Sequence, residues 1–215
     1  MTGKSDYSPV AVDVGALPRF GEPPKERADA ARNRLKILDA AARLFAEHGV
    51  DGVSMDQIAA EAKVGKGTLF RRFGDKAGMA AALLDARERD LQEAILSGPE
   101  PLGPGAPPGD RLLAFFAAYA EFLDANLDLV HLSETASPGA RYRIGAYAFW
   151  HQHVRFLLSE ARPELDAEHL AHALMAPLAA DLRRATTRAL PAERVHRGMD
   201  QLIQLVLSGA VSPRR

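Results

Sequence analysis

The chain has 215 residues, of which 47% are hydrophobic, and a formal net charge of −1 at pH 7. This apolar content is ample for a buried core, and the absence of cysteine excludes disulfides and thiolate metal sites. No uninterrupted apolar run reaches the roughly 18 residues that a membrane span needs. The stretch from Met1 to Phe20 also lacks the basic flank and apolar segment of a secretory signal. The sequence therefore predicts a cytoplasmic protein with no membrane partner.

The first helix is predicted from Asp29 to the residue before Gly49. Ahead of it, residues 1–28 mix proline and glycine without an apolar period, which is typical of a flexible tail. From Asp29 onward, apolar residues recur at helical spacing, namely Leu35, Leu38, Ala42, Phe45 and Ala46. Gly49 is predicted to end this helix in a left-handed conformation, which costs glycine less than any other residue.

Two short helices joined by a tight turn are predicted next. Ser54 is expected to cap a helix over residues 55–62, because Gln57 three residues later completes a capping box. Gly65 interrupts the pattern, and the second short helix then runs to about Phe73.

Longer helices are predicted for the rest of the chain. Five prolines and four glycines between residues 98 and 109 exclude a helix there, and Asp110 is expected to cap the helix that follows. In chain order, these helices are predicted at about residues 75–97, 110–127, 140–161, 166–190 and 191–209. No stretch alternates apolar and polar residues as a strand does, so the predicted fold class is all-α.

The first three predicted helices form a unit of about 45 residues with the helix-turn-helix plan, in which the second short helix lies in the major groove of DNA. Residues 62–76 carry five lysines and arginines against one aspartate, a local charge of +4. Because phosphate neutralisation is local, such a patch on a neutral chain fits a discrete DNA contact. The spacing of the apolar residues predicts the core of the unit: Leu44, Phe45, Ile58, Val64, Leu69 and Phe73.

Three blocks of this unit resemble the signature of the tetracycline-repressor family. They are, in order, AARLFAEHG at 41–49, SMDQIA at 54–59 and VGKGTLFRRFGDK at 64–76. The resemblance is strong over about residues 34–80, and beyond them only the layout of helices is similar. It implies a one-component transcriptional regulator, by default a repressor, with a DNA-binding domain at 29–76 and a helical-bundle ligand-binding and dimerisation domain at 77–215.

The resemblance also implies which residues contact DNA. Base-facing positions are Lys66, Gly67, Phe70 and Arg71, and phosphate-contacting positions are Ser54, Thr68, Arg72 and Lys76. Phe70 stands where the family commonly has tyrosine, and Arg72 where it frequently has histidine. Phe70 fits the core as well as a DNA-facing role. Lys63 replaces a frequent glycine at the turn, which costs energy if its φ is positive.

A homodimer is expected to bind an inverted-repeat operator in double-stranded DNA and to release it when a small hydrophobic effector binds. The last two long helices carry more apolar surface than one chain buries, and the residues predicted at the dimer interface are Leu174, Leu178, Leu182, Leu202, Leu205 and Val206. The effector cavity is predicted to be lined by Phe116, Tyr119, Tyr147, Trp150, His151, His172 and Met175. The helix at about 75–97 is expected to be the only continuous link between recognition helix and bundle.

No metal, cofactor or catalytic residue is assigned. His169 and His172 lie one helical turn apart near Glu168, which would allow a shared metal, but an ordinary histidine pair is the favoured interpretation. His151 and His153 point in different directions on a helix, which excludes shared chelation by those two.

Two alternatives remain open. A helical-bundle enzyme could use histidine and glutamate for acid–base chemistry, although no nucleophile motif or phosphate loop is present. A family member that has lost DNA binding could act through protein partners, although the retained Lys66, Thr68 and Lys76 argue against it.

Overall fold

The computed structural model describes residues 28–210, and all regular structure in that range is helical. The α-helices are α1 Ala28–His48, α2 Met55–Glu61, α3 Lys66–Phe73, α4 Lys76–Ser97, α5 Pro108–Ala125, α6 Leu127–Glu134, α7 Gly145–Ala161, α8 Ala167–Met175, α9 Ala180–Thr186 and α10 Ala192–Ser208. The all-α prediction is confirmed over this range, and none of its helices has the length and apolar character of a membrane span. The tail predicted at 1–28 lies outside the described residues except for Ala28, which begins α1.

Helices α1 to α3 form the predicted three-helix unit, and their ends follow the local sequence signals. Gly49 follows α1 with a φ of +71°. Ser54 caps α2 in a complete capping box with Gln57, and Asp75 caps α4 by accepting a hydrogen bond from the Gly78 N–H. These ends are set by contacts between residues close in sequence, which explains why they were predictable.

The buried face of α1 differs from the predicted one. Ile37, Ala41 and Phe45 are buried against α2 and α3, whereas Leu35 is 65% exposed. Two adjacent stripes of α1 have apolar residues at helical spacing, and the position of the neighbouring helices decides which one is buried. The sequence pattern identified the helix and the burial of Phe45 correctly, but Leu35, Ala42 and Ala46 of the predicted stripe are exposed and Leu38 is half-buried.

The larger part of the chain packs around one aromatic core. Helix α5 lies against α7 and α10, α4 against α6, and α7 against α8. Phe115 and Trp150 are fully buried in this core with Leu157 and Met175. Such dense packing of large side chains supplies most of the apolar burial that stabilises the domain.

Two predicted helix starts in this part are wrong. Helix α5 begins at Pro108 with Pro107 at the N-cap position, so Asp110 lies in the first turn and caps nothing. Proline suits this place because the first N–H groups of a helix have no partner within the helix. The helix predicted at 140–161 begins as a short 3-10 segment, Ala140–Arg143, and turns α-helical only at Gly145.

The helix predicted at 166–190 is broken, and Pro177 is the residue that breaks it. Asp166 caps α8 as expected, but α8 ends at Met175, a 3-10 turn follows, and α9 starts only at Ala180. A proline inside a helix removes one backbone hydrogen bond and clashes with the preceding turn. The freed backbone groups bond to side chains outside this segment, which are described below with the internal cavity.

The bundle touches the DNA-binding unit through more than α4. Leu129 and Leu132 of α6 pack against the core of the three-helix unit. Arg184 of α9 also pairs with Asp51, in the turn after α1, at 2.7 Å. The prediction that α4 is the only link is therefore wrong, because α6 and α9 contact the unit directly.

Candidate nucleic-acid interface and internal cavity

One face of α3 is buried and the other is open to solvent. Leu69 and Phe73 point into the core of the three-helix unit, with exposed fractions of 0% and 8%. The exposed residues of α3 are Lys66, Gly67, Thr68, Phe70 and Arg71, and Arg72 is half-buried. Because Phe70 is 45% exposed, it does not belong to the core. The structure thus brings all four residues predicted to face bases onto one accessible surface.

The turn between α2 and α3 places Lys63 at a positive φ. This residue has a φ of +54°, in the left-handed region. A lysine there carries a cost that the glycine common in the family would avoid. Val64 then donates its N–H to the carbonyl of Ala59 at 3.0 Å, which closes the turn and sets the angle of α3.

Two residues predicted to contact phosphates already hold the unit together. The Ser54 hydroxyl accepts the N–H of Gln57 at 3.3 Å. The Lys76 ammonium donates to the carbonyls of Val50 at 2.9 Å and Val53 at 3.1 Å. Lys76 therefore ties the start of α4 to the segment between α1 and α2, so its replacement would disturb the unit as well as remove a charge.

A small internal cavity lies between α4, α5, α6 and α7. It measures about 20 Å³, room for about one water molecule. Its walls include three of the predicted residues, Tyr119, Tyr147 and Trp150. Four others do not line it: Phe116 and Met175 are buried in the surrounding core, and His151 and His172 lie outside the wall, stacked on Tyr147.

Charged groups line this cavity, although the predicted lining had few charges. Glu134 and Arg141 form an ion pair in which each side chain is only 8% exposed. Burial, with the nearby charges of Asp85 and Glu134, raises the pKa of the Glu88 carboxyl from 4.5 to about 7. Burial also raises the pKa of the Tyr119 hydroxyl. The cavity therefore offers hydrogen-bonding and charged groups on an aromatic floor.

The Glu134–Arg141 pair also holds the break between α8 and α9. Arg141 donates to the carbonyls of Met175 at 3.1 Å and Leu178 at 3.3 Å, and Glu134 accepts the N–H of Ala180 at 2.9 Å. Neither Glu134 nor Arg141 was among the residues predicted from the sequence. Pro177 is the feature of the sequence that could have indicated them. A break in the helix at this proline leaves buried carbonyl groups without a donor in the helix, so a donor from elsewhere in the chain is needed.

Comparison with known proteins identifies the N-terminal unit. Residues 37–83, from α1 to the first turns of α4, match the family described as bacterial regulatory proteins, tetR family. This segment is therefore of the tetR-family type. The match contains the exposed face of α3 and the Lys63 turn.

The curated relatives that match this chain are HTH-type transcriptional regulators. A stretch of 95 residues is 34% identical to an HTH-type transcriptional repressor of Streptomyces coelicolor, covering 44% of this chain and 48% of that protein. Another of 69 residues is 42% identical to an HTH-type transcriptional regulator of Staphylococcus aureus, covering 32% and 36%. The chain thus spans half or less of the length of these relatives.

Solved structures extend the likeness to the whole fold. A TetR-like transcriptional regulator from Rhodococcus aligns over 86% of this chain and 100% of its own, with a TM-score of 0.58 and 22% identity. The fatty acid degradation regulator from Bacillus halodurans aligns over 86% and 98%, with a TM-score of 0.59 and 19% identity. At such identities the likeness establishes the fold, which is the tetR-type arrangement of a DNA-binding unit and a helical bundle.

The residues predicted at a dimer interface separate into two groups. Leu174 and Leu178 are 2% and 0% exposed, within the chain's own core, so they offer no surface to a second chain and their assignment is wrong. Leu182, Leu202 and Leu205 are 46%, 36% and 68% exposed, and Val206 is half-buried. The difference follows from their positions in the fold, since Leu174 in α8 and Leu178 in the 3-10 turn after it belong to the core cluster, whereas Leu182 lies beyond the break, on α9.

Proposed function

We propose that this tetR-family protein is a transcriptional repressor that binds an inverted-repeat operator as a homodimer and releases it when a small molecule enters the bundle. The observation that carries this proposal is the exposed, cation-bearing face of α3 within the tetR-family segment. Repression is proposed because one of the relatives is named a transcriptional repressor.

The surface of α3 suits close approach to DNA. Lys66 and Arg71 supply exposed charges, and arginine can bond both acceptors of a guanine in the major groove. A Cβ placed on Gly67 would meet no atom of the chain within 4 Å, so nothing in the fold itself requires glycine there. The exposed ring of Phe70 can contact a thymine methyl group. These features favour a groove-facing role for α3.

Replacing Arg71 with alanine is expected to weaken operator binding by about 1–3 kcal/mol and to relax one position of the operator, since one base contact is lost. Gel-shift titrations with DNA upstream of the protein's own gene, and with random DNA of equal length, measure both effects. Arg188→Ala, an exposed arginine outside the tetR-family segment, is the matched control. Equal loss on both DNAs would show that Arg71 contacts only the backbone.

Dimerisation is proposed through the outer face of α10. Met199 and Ile203 are buried on the side of α10 that faces the core. Leu202 and Leu205 lie away from this buried side and are exposed, and neighbouring exposed apolar side chains can form a contact surface for another chain. A second copy of this face, related by a two-fold axis, would cover them in a symmetric contact.

Aspartates placed together at Leu202 and Leu205 are expected to give a folded monomer, since two charges would be buried without partners at each copy of the interface. Sedimentation velocity reports the oligomeric state, and circular dichroism reports the helix content. Leu96→Asp changes an equally exposed leucine on α4 and should leave the dimer intact. A double variant that stays dimeric would place the interface elsewhere.

Effector binding is proposed at the aromatic cavity. Its ligand-free volume of about 20 Å³ is far below the 300–1,000 Å³ of usual ligand sites, so a ligand must displace the walls. Two of the lining residues lie on helices that contact the DNA-binding unit: Leu84 on α4 and Val130 on α6. An open groove of about 340 Å³ between α1 and the start of α6 leaves space for that unit to shift.

The walls also define the chemistry of the effector. Tyr119 and Trp150 offer an apolar floor, while Glu88 and Arg141 offer hydrogen-bonding groups. We therefore propose an apolar or aromatic molecule that carries a polar group, rather than a purely hydrophobic one. Preferential binding to the DNA-free shape with a coupling of about 1–3 kcal/mol would weaken operator binding roughly 5- to 150-fold.

A further inference from the structure

Three potential metal ligands from two helices meet at the outer edge of α7 and α8. His151 comes from α7, and Glu168 and His172 are four residues apart on α8, which places both on one face of that helix. One ligand atom from each of the three side chains lies within 4.8 Å of the others. Nε2 of His151 is 3.7 Å from Oε1 of Glu168, and the imidazole rings of His151 and His172 are stacked with their centroids 3.8 Å apart.

From this geometry we infer that His151, Glu168 and His172 form a binding site for one divalent transition-metal ion such as zinc. Neighbouring ligand atoms of a tetrahedral zinc ion are about 3.4 Å apart, given bonds of about 2.0–2.2 Å. The separation of 3.7 Å between Nε2 of His151 and Oε1 of Glu168 is close to that value. The stacked rings of His151 and His172 must turn until one nitrogen of each faces the ion. Two imidazoles and one carboxylate are a ligand set that zinc uses when it keeps a fourth position for water.

The surroundings of the three side chains suit metal binding. The Tyr147 hydroxyl lies 2.7 Å from Nδ1 of His172, and such a partner orients a ligating histidine through its other nitrogen. Arg155 lies 3.5 Å from Oε2 of Glu168, which leaves Oε1 directed at His151. Glu168 and His172 are exposed, so an ion and a water can enter.

Zinc titration of the untagged full-length protein, freed of metal with a chelator, tests the site by calorimetry and by the melting temperature. We expect one zinc ion per chain and a melting temperature that rises with zinc and falls back when the chelator returns. Cobalt should give the visible absorption of a four-coordinate ion. Because the chain has no cysteine, any tight site must use histidine and carboxylate ligands.

Glu168→Gln and His172→Gln change exposed side chains, and each is expected to weaken zinc binding at least 100-fold. Tyr147→Phe removes only the orienting hydrogen bond and should weaken it about 10- to 100-fold. His169→Gln, on the same helix, is the matched control and should bind as the unchanged protein does. Melting curves without zinc verify that each variant is folded.

Three results would overturn the inference. The first is the absence of saturable zinc binding at micromolar concentrations. The second is full zinc affinity in His151→Gln, which would mean that α8 alone holds the ion. The third is loss of binding in His169→Gln with retention in Glu168→Gln, which would move the site to the histidine pair visible in the sequence.

Discussion

Replacing Glu134 with alanine is expected to lower the free energy of unfolding by about 3–5 kcal/mol, because it leaves a buried charge without its partner. Arg141, whose side chain is 8% exposed, would keep its bonds to the carbonyls of Met175 and Leu178 but lose the carboxylate. The N–H of Ala180 would lose its acceptor as well. The segment between α8 and α9 should therefore be the first part of the bundle to lose its structure during unfolding.

Urea unfolding followed by circular dichroism measures this loss. Glu61→Ala is the matched control, because Glu61 pairs with Arg43 where both side chains are about half exposed, and exposed pairs contribute little. A double replacement of Glu134 and Arg141 by leucine and methionine removes the unpaired charge but should recover only part of the lost stability, since the carbonyls of Met175 and Leu178 and the N–H of Ala180 then lose their partners. A loss below 1 kcal/mol in Glu134→Ala would mean that water reaches Arg141.

Replacing Trp150 with alanine is expected to cost about 3–5 kcal/mol of stability, the usual range for removing a buried aromatic side chain. Trp150 is 2% exposed, and its ring centroid lies 5.1 Å from that of Phe149 and 5.9 Å from that of Tyr119. Thermal or urea unfolding measures the loss. Because this variant changes both core and cavity, it cannot report on the effector alone, and a small loss would contradict the core role of Trp150.

Tyr119→Phe tests the role of the cavity in effector binding without disturbing the packing of the core. It keeps the ring and removes only the hydroxyl that interacts with Arg141. DNA affinity without effector should be unchanged. The effector concentration for half-release of operator DNA should shift roughly 2- to 12-fold, which corresponds to one hydrogen bond of about 0.5–1.5 kcal/mol.

A screen supplies the effector for this experiment. Apolar and aromatic metabolites with one polar group are tested for those that both raise the melting temperature and release the operator. Tyr142→Phe, a 62% exposed tyrosine outside the cavity wall, is the matched control. If ligands stabilise the protein and none affects DNA binding, the proposed coupling of cavity and DNA-binding unit is wrong.

The sequence by itself determined the helices of the DNA-binding unit and their ends. Ser54 with Gln57, Gly49 and Asp75 act through bonds to backbone groups a few residues away, so their effect can be predicted without knowing the rest of the fold. The exposed face of α3 followed from the same local spacing and from the resemblance of its residues to the tetR signature.

Only the tertiary structure decided which apolar stripe of α1 is buried and where the chain breaks after α8. Ile37 is buried rather than Leu35 because of where α2 and α3 pack. The break at Pro177 is completed by Glu134 and Arg141, which lie more than 30 residues away in sequence. Such contacts depend on the packing of distant helices, and no local pattern encodes them.

The same reason explains the functional residues that sequence reasoning assigned differently. Lys76 has the position of a phosphate contact in the family pattern, yet its ammonium reaches the carbonyls of Val50 and Val53 in another segment. The sequence offered His169 as the partner of His172, whereas the fold brings His151 from a neighbouring helix to that place. Spacing along one helix shows which residues share a face, and only the packing between helices decides what that face meets.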